Sequence, residues 1–368
     1  MSALHISASG ELLAIFWMVT LLILGTAFFL CFGVIIRRIV RNKQARRREQ
    51  ERAAFQSYLK DVLKKDLEDQ GHLEDAPHCS TSEMADVLLH YFRTLKGEKL
   101  AQLKEITSGS ILEDRLIKET SKGIRGARMR ALRTLSYLES QRSLQVIFDT
   151  LKSDDKYVRL TAARCLVIRG SDCYLKAILE AIHDAFPQDF KLIAGILEGF
   201  GSDIVEPLEN YIRQTGNDVL KTACLETLIL IRPAQTSLDL NALMQSEAET
   251  VRAGALALST MVRHNAASDP THDPLRLGLQ DEAISVKMRA AKMACAARRS
   301  DIISDLYKLA SDPVMWVRYW ALRAIWMSGA SGQKFVNSLA NSDALVSDET
   351  TPHYMAVHVA REMTSGYV

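Results

Sequence analysis

One short pattern recurs down this chain and constrains its fold more than any other feature. An apolar residue, usually followed by a basic one, stands four positions before an alanine. The seven copies open at Ala127, Val158, Phe190, Val219, Val251, Val286 and Val317, at spacings of 31, 32, 29, 32, 35 and 31 residues. The fifth position is alanine each time: Ala131, Ala162, Ala194, Ala223, Ala255, Ala290 and Ala321. Self-similarity at such a period marks stacked repeats, each contacting only its neighbours. A helix packed closely on both sides needs a small residue where the neighbouring backbone approaches, and alanine meets that need at no cost in helix propensity. The expected architecture is therefore all-α, an α-solenoid of helix pairs.

The residues Val158-Arg159…Ala162-Ala163…Leu166, Val251-Arg252…Ala255-Leu256 and Val317-Arg318…Ala321-Leu322 resemble HEAT-type repeats. The likeness is to the short, HEAT-like form of bacterial proteins that is named after phycobilin-lyase relatives. It covers about residues 110 to 345. Phe190-Lys191 and Val219-Leu220 depart from the pattern, the second by lacking the basic residue. What the resemblance implies is a scaffold; membrane-tethered arrays of this kind often act as accessories of bacterial envelope assemblies.

The array does not begin at the N-terminus. Residues 12–36 hold no charged side chain, after a short N-terminal piece, 1–11, with no Lys or Arg. At 1.5 Å per residue that stretch reaches about 37 Å, enough to span a bilayer core. A signal peptide would carry a basic start and a shorter apolar run. Arg37, Arg38, Arg41, Lys43, Arg46, Arg47, Arg48 and Arg52 follow at once. The positive-inside rule then places the N-terminus outside and the repeats in the cytoplasm, in a bacterial inner membrane crossed once. These cations either set topology alone or also hold anionic lipid headgroups.

Residues 37–70 read as a basic juxtamembrane helix with an apolar stripe of Phe55, Tyr58, Leu59, Val62, Leu63 and Leu67 that docks on the first repeat. Residues 71–82 read as a loop, broken by Gly71 and Pro77. Ser80 and Glu83 then have capping-box spacing. Residues 83–121 supply capping helices at 83–96, 99–107 and 111–121, and 122–345 the array. First helices of the repeats are expected at 143–152, 172–185, 203–214 and 300–310. Ser268 to Pro274 forms the one sizeable internal loop. Ser311-Asp312-Pro313 places a capping residue before a proline at the first helical position. Residues 346–368 form a C-terminal capping helix and tail.

Residues 37–65 carry a net charge of +8, leaving −6 for the rest of the chain. An array that is not globally basic argues against a large nucleic-acid surface. The six cysteines lack a CxxC, and Cys165, Cys224 and Cys295 fall in second helices as small apolar residues, which suits a reducing compartment. No His-Glu dipeptide, P-loop, dinucleotide fingerprint or nucleophile elbow occurs, so no catalytic residue, cofactor or metal site is expected.

Two surfaces stand out as binding candidates. Trp316, Tyr319, Trp320 and Arg323 share one helix with Trp326, and three of the four tryptophans lie there. Such clusters build interface hot spots, or else pack under a C-terminal cap; Trp326 reads as core with Val317, Ala321 and Ile325. The alternative is the basic position after each opener, with Arg159, Arg252 and Lys287 foremost. These side chains either line a ligand groove or form an internal ladder with acids such as Asp154, Asp155, Glu249, Glu282 or Asp312. The leading expectation is a non-enzymatic, membrane-tethered scaffold that docks a protein partner. The alternatives are a HEAT-like enzyme of the lyase or DNA-glycosylase type, or a homo-oligomeric membrane element associating through the span and the Phe55–Leu67 helix.

Overall fold

The computed structural model describes residues 2–64, 77, 79–170, 172–262, 273–341 and 352–365, with side chains from Trp17 onward except at 19 and 23. Helix accounts for 80% of the chain, and no strand occurs among the described residues. The chain divides into two compact units, Met1–Leu144 and Gln145–Val368.

The first unit opens with α1 (Ser2–Val62), a single helix of 61 residues. The apolar stretch and the basic stretch, expected as separate segments, are thus one unbroken rod. None of its apolar window is buried, and by length and composition it could cross a membrane. Its far end behaves differently. Phe55 and Leu59 are 1% exposed, packed where α1 meets α2 (Thr81–Thr94). Burying two such side chains contributes about 1.5–3 kcal/mol each. The stripe therefore docks as expected of a buried face, but on the capping helix α2 rather than on the first repeat, and Phe55 and Leu59 are not free to hold a second copy. Leu67 and most of the 71–82 loop lie outside the described residues. Nearby, burial pushes the Cys79 thiol up to about 11, with Glu51 of α1 and Glu83 of α2 adding to the effect.

Ser80 caps α2 as its spacing predicts, accepting the Glu83 N–H, and the helix starts at Thr81 rather than 83. Next come α3 (Glu98–Thr107) and α4 (Ile111–Lys122), close to their expected bounds, and then α5 (Arg125–Leu135). A buried carboxylate ties this region together: Glu113 accepts from the Ser143 hydroxyl at 2.6 Å and the Gly109 N–H at 2.5 Å. Burial alone would raise its pKa, but bonds from Ser140, Ser143 and Gly109, with the Arg142 charge, hold it below the usual value. Helix α6 (Gln141–Thr150) crosses the boundary between the units.

The second unit continues with α7 (Lys156–Ile168), α8 (Leu175–Ala185), α9 (Phe190–Leu197), α10 (Val205–Gln214), α11 (Asp218–Ile231), α12 (Leu240–Met244) and α13 (Glu249–Met261). After these stand α14 (Pro274–Leu279), α15 (Ile284–Ala297), α16 (Ile303–Leu309), α17 (Met315–Met327), α18 (Ala330–Ala340) and α19 (Pro352–Thr364). The seven motif copies fall on α5, α7, α9, α11, α13, α15 and α17. Within the second unit each of these packs on the next, α7 on α9 through to α15 on α17. This is the pattern of an α-solenoid.

All seven motif alanines are buried, none more than 1% exposed. The reason is visible at Ala290. A Cβ placed on Gly278 of α14 would lie 3.0 Å from the Ala290 Cβ and 2.7 Å from Leu256 Cδ2. Backbone and motif alanine are already in contact, so neither can grow. On α13, every residue from Val251 to Ser259 except Arg252 is buried. Short first helices accompany this closeness, since α12 has five residues and α14 six.

Two turn expectations change. Asp312 does accept a backbone N–H, that of Val314, but α17 begins at Met315, so Pro313 precedes the helix instead of opening it. Prolines that open helices are Pro352 of α19 and Pro274 of α14, the latter with Asp273 as N-cap accepting the Leu275 N–H. The remainder of the loop expected at Ser268–Pro274 lies outside the described residues.

The alanine seam makes a direct prediction. Ala223→Leu forces three added carbon atoms into a site with no exposure, which should cost about 1–3 kcal/mol. A thermal melt of the full chain in detergent checks it; an unchanged midpoint would mean that the motif alanines do not mark the seam.

Candidate functional site

The basic position after each opener separates into two behaviours. Arg252 on α13 makes a two-pronged pair with Asp281, Nε to Oδ2 at 2.8 Å and Nη2 to Oδ1 at 2.9 Å. Its Nη1 donates to the Ser246 and Glu247 carbonyls. Lys287 on α15 donates to Asp312 at 2.8 Å. Arg318 on α17 is 2% exposed and donates to the Asp312 and Pro313 carbonyls. Arg252 and Lys287 are thus rungs of an internal ladder, not a ligand surface. The acid opposite Arg252 is Asp281, which is not among the acids expected for the ladder, whereas Asp312 is.

Both ladder acids stand five residues before an opener, Asp281 before Val286 and Asp312 before Val317. Each also braces the turn before the coming helix, accepting the N–H of its N-cap residue, Ala283 or Val314. The same position ahead of Phe190 is Ala185, so Arg159 on α7 faces no acid there, and its buried Nε has no hydrogen-bond partner. An acid at this offset is the signal that would have picked out the paired rungs.

The aromatic cluster on α17 also divides. Val317, Ala321 and Ile325 are fully buried and Trp326 nearly so, as expected of core. Tyr319 and Arg323 are fastened to the C-terminal helix. The Tyr319 hydroxyl donates to Glu362 Oε2 at 2.7 Å, while Arg323 Nη1 donates to Glu362 Oε1 and to the Tyr319 oxygen, each at 2.8 Å. Burial, reinforced by the Glu362 bond, raises the Tyr319 phenol above its ordinary value. The cap reading therefore holds for these two residues.

Trp316 and Trp320 are placed otherwise. Trp316 is 55% exposed and sets its ring edge-on to Tyr319, with centroids 5.8 Å apart. Trp320 is half-buried, edge-on to Tyr319 at 5.2 Å. The Lys292 ammonium of α15 lies 4.7 Å from the Trp320 centroid, and the Arg323 guanidinium carbon 5.4 Å. Lys292 was not legible as part of this site; it lies 24 residues before Trp316 and joins it only through the packing of α15 on α17. Another long-range tie, missed for the same reason, is Arg289 on α15 to Glu226 on α11, at 2.5 Å. It joins the two motif helices that flank α13.

The eight cations of α1 from Arg37 to Arg52 form the third candidate. Arg37 to Arg52 are exposed along the helix, and among the described residues only Arg47 has an ion pair, with Glu51 at 3.1 Å. Among the described residues, no three His, Cys, Asp or Glu side chains converge as a metal-binding group.

Comparison with known proteins bears on the scaffold. Residues 109–197 match the family model described as HEAT repeats. Those residues carry HEAT repeats. No curated protein matches it in sequence. Among solved structures, it is similar to the complex of CpcE and CpcF of phycocyanin lyase from Nostoc sp. PCC7120. That likeness has 15% identity over 81% of this chain and 100% of the other, with a TM-score of 0.23. Nothing about activity follows from a likeness so loose.

The ladder generates a pH prediction. Burial works to raise the Asp281 pKa, but the Arg252 bonds and the Ala283 N–H outweigh it, and the value falls below that of a free aspartate. A depressed carboxylate contributes stability above its unfolded value, and that contribution is lost as pH falls through the lower folded value. Asp281→Ala should cost about 1–3 kcal/mol at neutral pH. The deficit should shrink as pH drops below about 4, and melts across that range would show it. A deficit independent of pH would mean that the Asp281 charge does not hold Arg252.

Proposed function

We propose that this chain is a non-enzymatic scaffold, tethered by α1 to a bacterial inner membrane, that docks a protein partner on its HEAT repeats. The observation that carries the reading is the composition of α1. One helix runs from an exposed, charge-free stretch through eight cations to Phe55 and Leu59, which are buried in the folded body. A segment so apolar and uncovered is suited to a bilayer. The continuous helix ties whatever lies in the membrane to the first unit without a break. Phe55 is 18 positions beyond Arg37, a rise of about 27 Å along the helix axis.

The basic flank supports an N-terminus outside and repeats in the cytoplasm, because cations are retained on the cytoplasmic side during insertion. Clustered so close to the apolar stretch, they also suit contact with anionic headgroups, worth roughly 1 kcal/mol per charge near the surface. Docking is supported by Trp316 and Trp320, which stay accessible while neighbouring aromatic and basic side chains are held in internal contacts.

A reporter active only in the cytoplasm, fused after Val368, should be active, and one active only in the periplasm should be silent. The reverse pattern would overturn the orientation. Release of the chain from membranes by alkaline carbonate would overturn the anchor itself.

A further inference from the structure

The chemistry of the docked partner can be taken further, on the strength of the docking reading above. Helices α15 and α17 contain no Asp or Glu, yet they carry Lys287, Arg289, Lys292, Arg318 and Arg323. Four of these five cations are accounted for by acceptors brought from elsewhere. Lys287 has Asp312, Arg289 has Glu226, Arg323 has Glu362, and Arg318 has two backbone carbonyls. Lys292 is exposed and has no carboxylate partner among the described residues; its recorded contact is the face of Trp320.

A ring occupies one side of an ammonium and leaves its remaining hydrogens available to an oxygen, so a carboxylate can join without displacing the cation–π contact. One turn before Trp320 on α17 stands Trp316, the most exposed aromatic residue among the described residues of the second unit. Its neighbour Tyr319 is fixed by Glu362 and Arg323, so the platform against which Trp316 rests is already ordered. Ordered aromatic anchors bind with little further loss of side-chain entropy. We propose that the Lys292–Trp320–Trp316 face takes a short acidic peptide segment of a partner protein, with a carboxylate on Lys292 and an adjacent bulky apolar side chain against Trp316. A single unpaired cation is too small a footprint for a phosphate backbone, which needs several.

The test is selection of short random peptides on the full chain in detergent micelles, followed by fluorescence anisotropy with the selected peptides. Lys292→Glu and Trp316→Ala are carried in parallel, each first checked by thermal melting, which exposed positions should leave nearly unchanged. The expected peptides are rich in Asp or Glu beside Phe, Trp or Leu. Each substitution should weaken binding about tenfold or more. Selection on the Lys292→Glu protein should favour Lys and Arg instead. Peptides that need Trp316 but ignore Lys292→Glu would overturn the acidic class while leaving the docking reading intact. Peptides indifferent to both substitutions, or no selected peptides, would remove this face from the docking reading as well. An oligothymidine that competes at Lys292 would contradict the choice of a peptide over a nucleic acid.

Discussion

The contact between a motif alanine and the backbone of a neighbouring helix is the constraint from which most of this structure follows. At Ala290 the partner is Gly278, and a single added carbon there would press on both Ala290 and Leu256. Helices held so closely leave no space for long side chains between them. Charged and aromatic residues are displaced to the edges of the packed layer, where turns and neighbouring repeats meet them. The Arg252–Asp281 and Lys287–Asp312 pairs sit at such edges, and each acid also accepts a backbone N–H in the turn before the next helix. Packing thereby fixes the distance between repeats, and the ladder ties each turn to it.

Much of this is legible from residue types because it repeats. Seven alanines at a near-constant period identified the motif helices, and the buried set on α17 followed from Val317 at steps of four. Ser80 announced the start of α2. What was not legible depends on geometry that no period records. Whether Asp281 or Glu282 meets Arg252 is decided by the turn before α15, not by charge. Pro274 rather than Pro313 opens a helix because Asp273 caps α14 directly, whereas α17 starts two residues after its proline. Arg289 and Glu226 are 63 residues apart in sequence and meet only because their helices flank α13. The unity of α1 escaped for a different reason. Its apolar and basic halves differ in composition, but neither contains a residue that breaks a helix over 37–62.

Function, on this account, is carried by what the packing leaves unspent. Most basic residues of the later repeats are engaged internally, and Tyr319 and Arg323 hold the terminal helix. Trp316, Trp320 and Lys292 remain on an accessible edge. At the other end of the chain, the apolar part of α1 is uncovered and its basic part is largely unpaired. A scaffold needs a fixed attachment and an ordered, accessible surface, and those two features occupy separate units of the chain.

The central claim is that the motif helices form the packed seam on which the second unit depends. Hydrogen exchange of the full chain in micelles, followed by mass spectrometry, tests it most directly, because amide protection reports the free energy of local opening. The expected result is strongest protection in α13, buried from Val251 to Ser259 apart from Arg252, with neighbouring α11 and α15 next and the short α12 and α14 opening far sooner. Exchange of α13 at the rate of α12 would contradict the claim.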